Sequence, residues 1–285
     1  YDPDSGENYS DEADRWFFFQ LAVIELISQL ELNPDILICA DWQAAIIPAL
    51  LRIHHKDNPQ LSSIRTVLSL HNLGYQGMFS ADSITALGLP KELMFPLSPF
   101  EYYGQLNCLK AGISFADHVI TVSPTYADEI RTEEFGHGLD GVLRQHDDRV
   151  SGIINGIDTS TWNPARDHWI SSKFSLSKLD KKSANRQDLL KTFELPGDFE
   201  GPVIGMVTRL TSQKGFNIIA GCLDRMLNRD LKFLILGTGE KQFEAFLTDV
   251  AKNNSDKFAV KIGYSEQLAH QIFAGSDMFL MPSQY

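Results

Sequence analysis

No block of lysine and arginine occurs anywhere in this sequence, and 37 acidic against 25 basic residues leave a net charge of −12. A nucleic-acid footprint needs a basic face or stripe, so that class is excluded, and attraction to an anionic membrane surface is excluded with it. An anionic ligand must then be held by a few local cations against an adverse overall field. Long apolar runs are missing too. The longest, over residues 16–30, is interrupted by Gln20, Glu25, Ser28 and Gln29 and falls short of the roughly 20 apolar residues that span a bilayer. Cysteine is scarce: Cys39, Cys108 and Cys222 are odd in number and far apart, without the paired spacing of zinc or redox sites, which fits a reducing compartment and three buried small hydrophobes. His54 and His55 are neighbours that point to different sides of a helix, and no carboxylate completes a ligand set. The P-loop, the zinc-protease helix and the nucleophile elbow are all absent, as is any repeat of solenoid period.

What is there is enough apolar residue for a full core. The chain has 285 residues, 43% of them hydrophobic, and length alone suggests about two domains. After a polar lead-in over 1–14, the apolar run 16–30 predicts a helix buried between other elements. Strands are expected at 36–40, 65–70, 118–122 and 150–154. A helix capped by Asp41 should run to about His54, and another should cover 103–115. Ser123 and Pro124 read as the cap and first residue of a further helix. From 167 to 201 the composition turns to Ser, Lys and Asp with one amphipathic helix over 184–193, the pattern of an interdomain connection. Beyond it, strands at 203–207, 233–236, 259–262 and 278–281 alternate with helices, which predicts βαβ units and a parallel sheet. The expected division is a first domain over 1–166, a connection over 167–201 and a second domain over 202–285.

The stretch 203–215 carries the most chemistry. An apolar β-branched segment ends in Arg209 and Lys214 just before a helix. Ligands of parallel α/β sheets sit at the carboxyl ends of strands, where a helix start turns its unpaired N–H groups toward an anion. Two cations there suit a diphosphate; taken alone, they are better explained as solvated surface charges. The remaining polar clusters fall in the same kind of place, each just after a strand: Asp41, His71 with Asn72, Asn155, and Gly237 with Thr238. Asp41 reads equally well as a helix cap, and a Gly-Thr-Gly helix entry is common. Their shared location points to a binding site at the carboxyl ends.

Seven segments in order, DWQ at 41–43, SLHNLGYQG at 69–77, TVSPTYA at 121–127, FGHGLDG at 135–141, INGID at 154–158, RLTSQKG at 209–215 and MPS at 281–283, resemble the bacterial glycogen synthase and plant starch synthase family over nearly the whole chain. The resemblance implies an α/β fold of GT-B type, with two Rossmann-like domains whose parallel sheets face a cleft. It also implies retaining transfer of glucose from ADP-glucose to the non-reducing end of an α-1,4-glucan. By position, Arg209 and Lys214 match the pair that holds the diphosphate, and His71 matches the histidine beside the transferred glucose. Asp41, Asn72 and Asn155 match polar positions around the sugars. Tyr264 resembles the aromatic on which adenine stacks, the plain alternative being a half-buried tyrosine at a strand end. The expected partners are the nucleotide sugar and the glucan, with no cofactor, no metal, no nucleic acid and no membrane. The compartment implied is the cytoplasm, or the plastid stroma in a photosynthetic eukaryote. The family's amino-terminal Lys-x-Gly-Gly-Leu loop has no counterpart here, and the sequence stops one residue before the family's site glutamate. Both domains are therefore expected to be incomplete, and the piece alone to be inactive. Other expectations left open are a related transferase with another nucleotide sugar and a non-catalytic glucan-binding relative.

Two cations facing a diphosphate do the work of a metal ion, and no carboxylate pair with metal spacing follows any of the expected strands. Glucose transfer by the intact enzyme is accordingly expected to survive EDTA. Loss of activity that magnesium or manganese restores would contradict this.

Overall fold

The computed structural model describes residues 9–284. It divides into two compact units, Tyr1–Gly156 and Ile157–Tyr285. In the first, α1 (Glu12–Gln29), β1 (Ile36–Ala40), α2 (Asp41–Ala44), α3 (Ile47–Ile53), α4 (Pro59–Ser62) and β2 (Arg65–Leu70) are followed by a small antiparallel sheet. That sheet comprises β3 (Met78–Ser80), β4 (Glu101–Tyr102) and β5 (Gln105–Asn107), and then come α5 (Cys108–Phe115), β6 (His118–Thr121), α6 (Pro124–Glu129), α7 (Asp140–Gln145) and β7 (Val150–Gly152). The main sheet is parallel, in the order β1-β2-β6-β7. The second unit contains α8 (Lys182–Thr192), β8 (Val203–Val207), α9 (Phe216–Leu227), β9 (Lys232–Gly237), α10 (Lys241–Asn253), β10 (Phe258–Ile262), α11 (Glu266–Gly275) and β11 (Met278–Phe279). Its sheet, also parallel, runs β10-β9-β8-β11, the first four strands of a doubly wound order. No helix among the described residues is long and apolar enough to cross a membrane.

Several expectations are corrected, each for a local reason. The polar lead-in over 1–14 lies largely outside the described residues, and its end is already helix from Glu12. Helix α1 is not buried all round: Phe17, Gln20, Ile24 and Ile27 face inward, while Phe18 and Leu26 are exposed. The helix expected from Asp41 to His54 is two helices. Pro48 stands in the first turn of α3, where it has no N–H to continue the ladder, and the Ile46 N–H at the break donates to buried Gln20 Oε1 at 2.7 Å. Residues 103–107 form the turn and second strand of the β4–β5 hairpin rather than helix. Helix α5 starts only where Asn107 accepts the Lys110 N–H at 2.9 Å. Of the three cysteines, Cys39 and Cys108 are buried but Cys222 is only half-buried. Burial pushes the Cys39 thiol up to about 12, which leaves it inert at neutral pH.

The stretch expected to connect the domains, 167–201, belongs to the second unit. Helix α8 and the turn after it put Leu189, Leu190, Phe193 and Leu195 into one apolar cluster with Val203 and Leu234 of the sheet and Ile272 of α11. Each fully buried leucine contributes about 1.5–3 kcal/mol of burial, too much for a linker. Its polar composition describes the solvent side only.

One device recurs in both units. Asp117 and Asp277 each lie between the end of a helix and the start of a strand. Asp117 Oδ2 accepts the Thr66 N–H of β2 at 2.8 Å and pairs with Arg52 of α3 at 2.7 Å, and its Oδ1 pairs with Arg65 at 3.0 Å. Asp277 accepts the Val203 N–H of β8 at 2.8 Å and pairs with Arg186 of α8. Partial burial works to raise the Asp117 pKa, but its bonds from Thr66, Arg65 and Arg52 outweigh that and the net shift is downward. A depressed carboxylate stabilises the fold above the ordinary Asp pKa of about 3.9, and that contribution is lost as pH falls through the lower folded value. Asp117→Asn is expected to cost about 1–3 kcal/mol at neutral pH and to flatten the acid side of the stability profile. An unchanged acid limb in urea titrations between pH 3 and 7 would contradict this role.

Candidate functional site

At the carboxyl end of the first sheet, Asp41 follows β1 directly and is held at φ +49°, a left-handed conformation that costs a non-glycine residue energy. It is not the helix cap that its sequence position suggests. The preceding Ala40 occupies that place without a side-chain bond, and Asp41 Oδ1 instead accepts the His71 N–H at 2.7 Å. His71, just past β2, is exposed, and its Nε2 lies 3.1 Å from Ser69 Oγ. Backbone and ring of this histidine are thus both held, from neighbouring strand ends. Asn72 turns its Oδ1 back to the Gly74 N–H at 3.0 Å, so it shapes the loop. Asn155 is exposed in the segment after β7.

Gln76 ties this edge together, a role that the sequence reading missed. Its Nε2 donates to His137 O at 3.0 Å and its Oε1 accepts from Asn107 Nδ2 at 2.6 Å. The Tyr126 hydroxyl takes the Leu73 N–H at 3.0 Å. Gly77 has φ +64°, and a Cβ there would stand 2.5 Å from the Trp42 ring, so the last glycine of the motif is dictated by a close approach.

The second unit carries a pocket of about 380 Å³ at the carboxyl ends of β8, β9 and β10. Its walls include Arg209, Gly237, Thr238 and Tyr264 from the expected set, joined by Trp162 and Phe273. Tyr264 is 88% exposed, which rules out the alternative of a half-buried packing residue. An aromatic ring left open beside an apolar pocket offers a stacking surface. Lys214 is not a wall of this pocket; it ends the short 3-10 turn Ser212–Lys214, and Gly215 with φ +80° passes the chain into α9.

The Gly-Thr-Gly segment, besides lining the pocket, shapes the loops that carry it. A Cβ at Gly237 would lie 1.9 Å from Thr208 O, and one at Gly239 would lie 2.4 Å from Leu210 O. These glycines let the two strand-end loops run in backbone contact, with Leu210 N–H donating to Thr238 O at 3.0 Å. The Thr238 hydroxyl and the Gly239 N–H both go to Glu244 Oε1, at 2.7 and 3.0 Å, and the Ser212 N–H goes to Glu240 at 3.1 Å. Those N–H groups are therefore committed within the loops, and Arg209 is the cation that the pocket wall presents. Trp162 and Phe273 were not singled out as site residues because one sits in an irregular turn and the other in a helix pattern that reads as core.

A family description, the starch synthase catalytic domain, matches residues 1–145. A glycogen synthase of Koribacter versatilis is 44% identical over 278 residues, covering 98% of this chain and 57% of that protein. A glycogen synthase of Thermotoga maritima is 42% identical over 283 residues, covering 99% and 57%. Among solved structures, the catalytic domain of starch synthase IV from Arabidopsis thaliana, bound to ADP and acarbose, matches with a TM-score of 0.91 at 34% identity over 98% of this chain and 58% of that one. The chain thus spans less than two thirds of the length of each of these relatives.

Proposed function

Because the chain belongs to the starch synthase catalytic domain family, we propose that its protein is a glycosyltransferase that moves glucose from ADP-glucose to the non-reducing end of an α-1,4-glucan with retention. The fold is α/β of the GT-B type. The observation that carries the reading is the pocket of the second unit, where Arg209 and the exposed Tyr264 line one cavity.

An adenine ring stacked on Tyr264 would leave the diphosphate at the strand mouth. Arg209 meets it there, with Lys214 beyond on the same loop. Charge on the departing ADP grows as the glycosidic bond breaks, so a cation at that point stabilises the transition state more than the bound substrate. No divalent metal enters this scheme. In the first unit, Asp41 fixes the His71 backbone at 2.7 Å, and the two residues are assigned to the glucose that is transferred. Asn72 and Asn155 are assigned to sugar contacts, Asn72 through the loop it shapes. The reading needs a soluble nucleotide sugar and a glucan, and neither nucleic acid nor a membrane. A cytoplasmic or plastid location goes with it.

In the complete enzyme, Arg209→Ala and Lys214→Ala are each expected to lower kcat by about 100- to 1000-fold, the effect of removing one transition-state charge contact, with thermal stability nearly unchanged. Transfer of labelled glucose to glycogen is to be measured with ADP-glucose and UDP-glucose in parallel. Near-normal turnover in both variants would overturn the assignment of the cations, and preference for UDP-glucose would overturn the donor.

A further inference from the structure

We propose that His270 is a positioning residue, which through its bond to Asp167 fixes the plane of Trp162 as the wall of the nucleotide pocket; this rests on the reading of that pocket given above. His270 lies on α11 and is 2% exposed, and its Nδ1 is 2.6 Å from Asp167 Oδ2. Asp167 is itself 8% exposed, and its Oδ1 accepts the Trp169 N–H at 2.8 Å. The imidazole is stacked on Trp162 with ring centroids 3.8 Å apart and planes at 10°, while Trp169 meets its edge at 4.5 Å.

A hydrogen bond from a ring nitrogen lies in the ring plane, so the Asp167 carboxylate sets the plane of the imidazole. A stack at 10° passes that plane on to Trp162. Trp162 is in turn a wall of the pocket and meets Phe273 edge-on at 5.4 Å. The segment that carries it, from Asp158 to Trp169, contains neither helix nor strand, so no secondary-structure ladder holds the indole in place. Side chains of α11 do so, with Gln271 Nε2 donating to Trp169 O at 3.3 Å as a second tie.

A packing role alone accounts poorly for this chemistry. Among the described residues His270 Nε2 is buried without a partner, and a buried polar atom left unbonded is costly, whereas an apolar ring of the same shape avoids that cost. The imidazole offers what such a ring lacks, an in-plane bond that fixes its angle.

The test separates the base end of the nucleotide from its phosphate end. Binding of ADP and of inorganic pyrophosphate is to be measured by titration calorimetry on the complete protein and on Trp162→Leu, His270→Phe and Asp167→Asn. Trp162→Leu and His270→Phe are expected to raise the Kd for ADP about five- to tenfold, the scale of one aromatic contact. Pyrophosphate affinity should stay unchanged, and Asp167→Asn, whose Oδ1 keeps the Trp169 N–H while its Nδ2 donates to Nδ1 of the other imidazole tautomer, should stay close to the parent. If His270→Phe does not fold, His270→Gln, which keeps a polar group but has no ring to stack, takes its place with the same expectation. In the Trp162→Leu background it should weaken ADP no further. An unchanged ADP Kd in the His270 variant, or equal weakening of ADP and pyrophosphate, overturns the positioning role. A parent protein that binds pyrophosphate but not ADP overturns the nucleotide reading itself, and this proposal with it.

Discussion

Asp117 and Asp277 each tie the amino ends of two neighbouring strands, and the candidate residues lie at the opposite, carboxyl ends. A parallel sheet has no hairpins to fix its strand starts, so something else must bind the first N–H groups and hold neighbouring strands in step. In each unit an aspartate just before a strand accepts the backbone N–H of the adjacent strand and the guanidinium of a helix packed nearby. With the amino ends tied, the carboxyl ends carry the loops in which polar side chains collect. Asp41 and His71 emerge there in the first unit, and Arg209 and Tyr264 in the second.

Those loops are tight, and the tightness explains residues that a motif reading assigns to ligands. Gly237 and Gly239 leave room for the backbone of the loop after β8. Gly215 does the same where a Cβ would stand 2.1 Å from Pro282 O. The acidic side chains Glu240 and Glu244 take up N–H groups that an anion would otherwise use. The pocket is left with an apolar, aromatic interior and Arg209 at its wall. Such a lining suits a flat heterocycle carrying a charged tail.

Most of the strand framework was legible because strands of buried parallel sheets are short, continuous apolar runs. The strands expected at 36–40, 65–70 and 203–207 have those bounds in the structure. Helix limits were less legible, since they turn on partners distant in sequence: Gln20 takes the N–H at the break before α3, 26 residues away. In the stretch expected as a connection, 167–201, a polar surface composition hides the buried stripe of α8. Among the candidate residues, Asp41 read equally well as a helix cap and as a site residue, since a carboxylate between a strand and a helix suits both. Only the fold brings the His71 N–H to it. Trp162 and His270 are 108 positions apart in the chain, and no local pattern joins them.

On the proposed function, the pocket at the carboxyl ends of β8, β9 and β10 holds ADP. A crystal structure of the complete protein grown with ADP tests it most directly. The base is expected against Tyr264 and Trp162, with the diphosphate at Arg209 and Lys214. Density for ADP elsewhere, with this pocket empty, would contradict it.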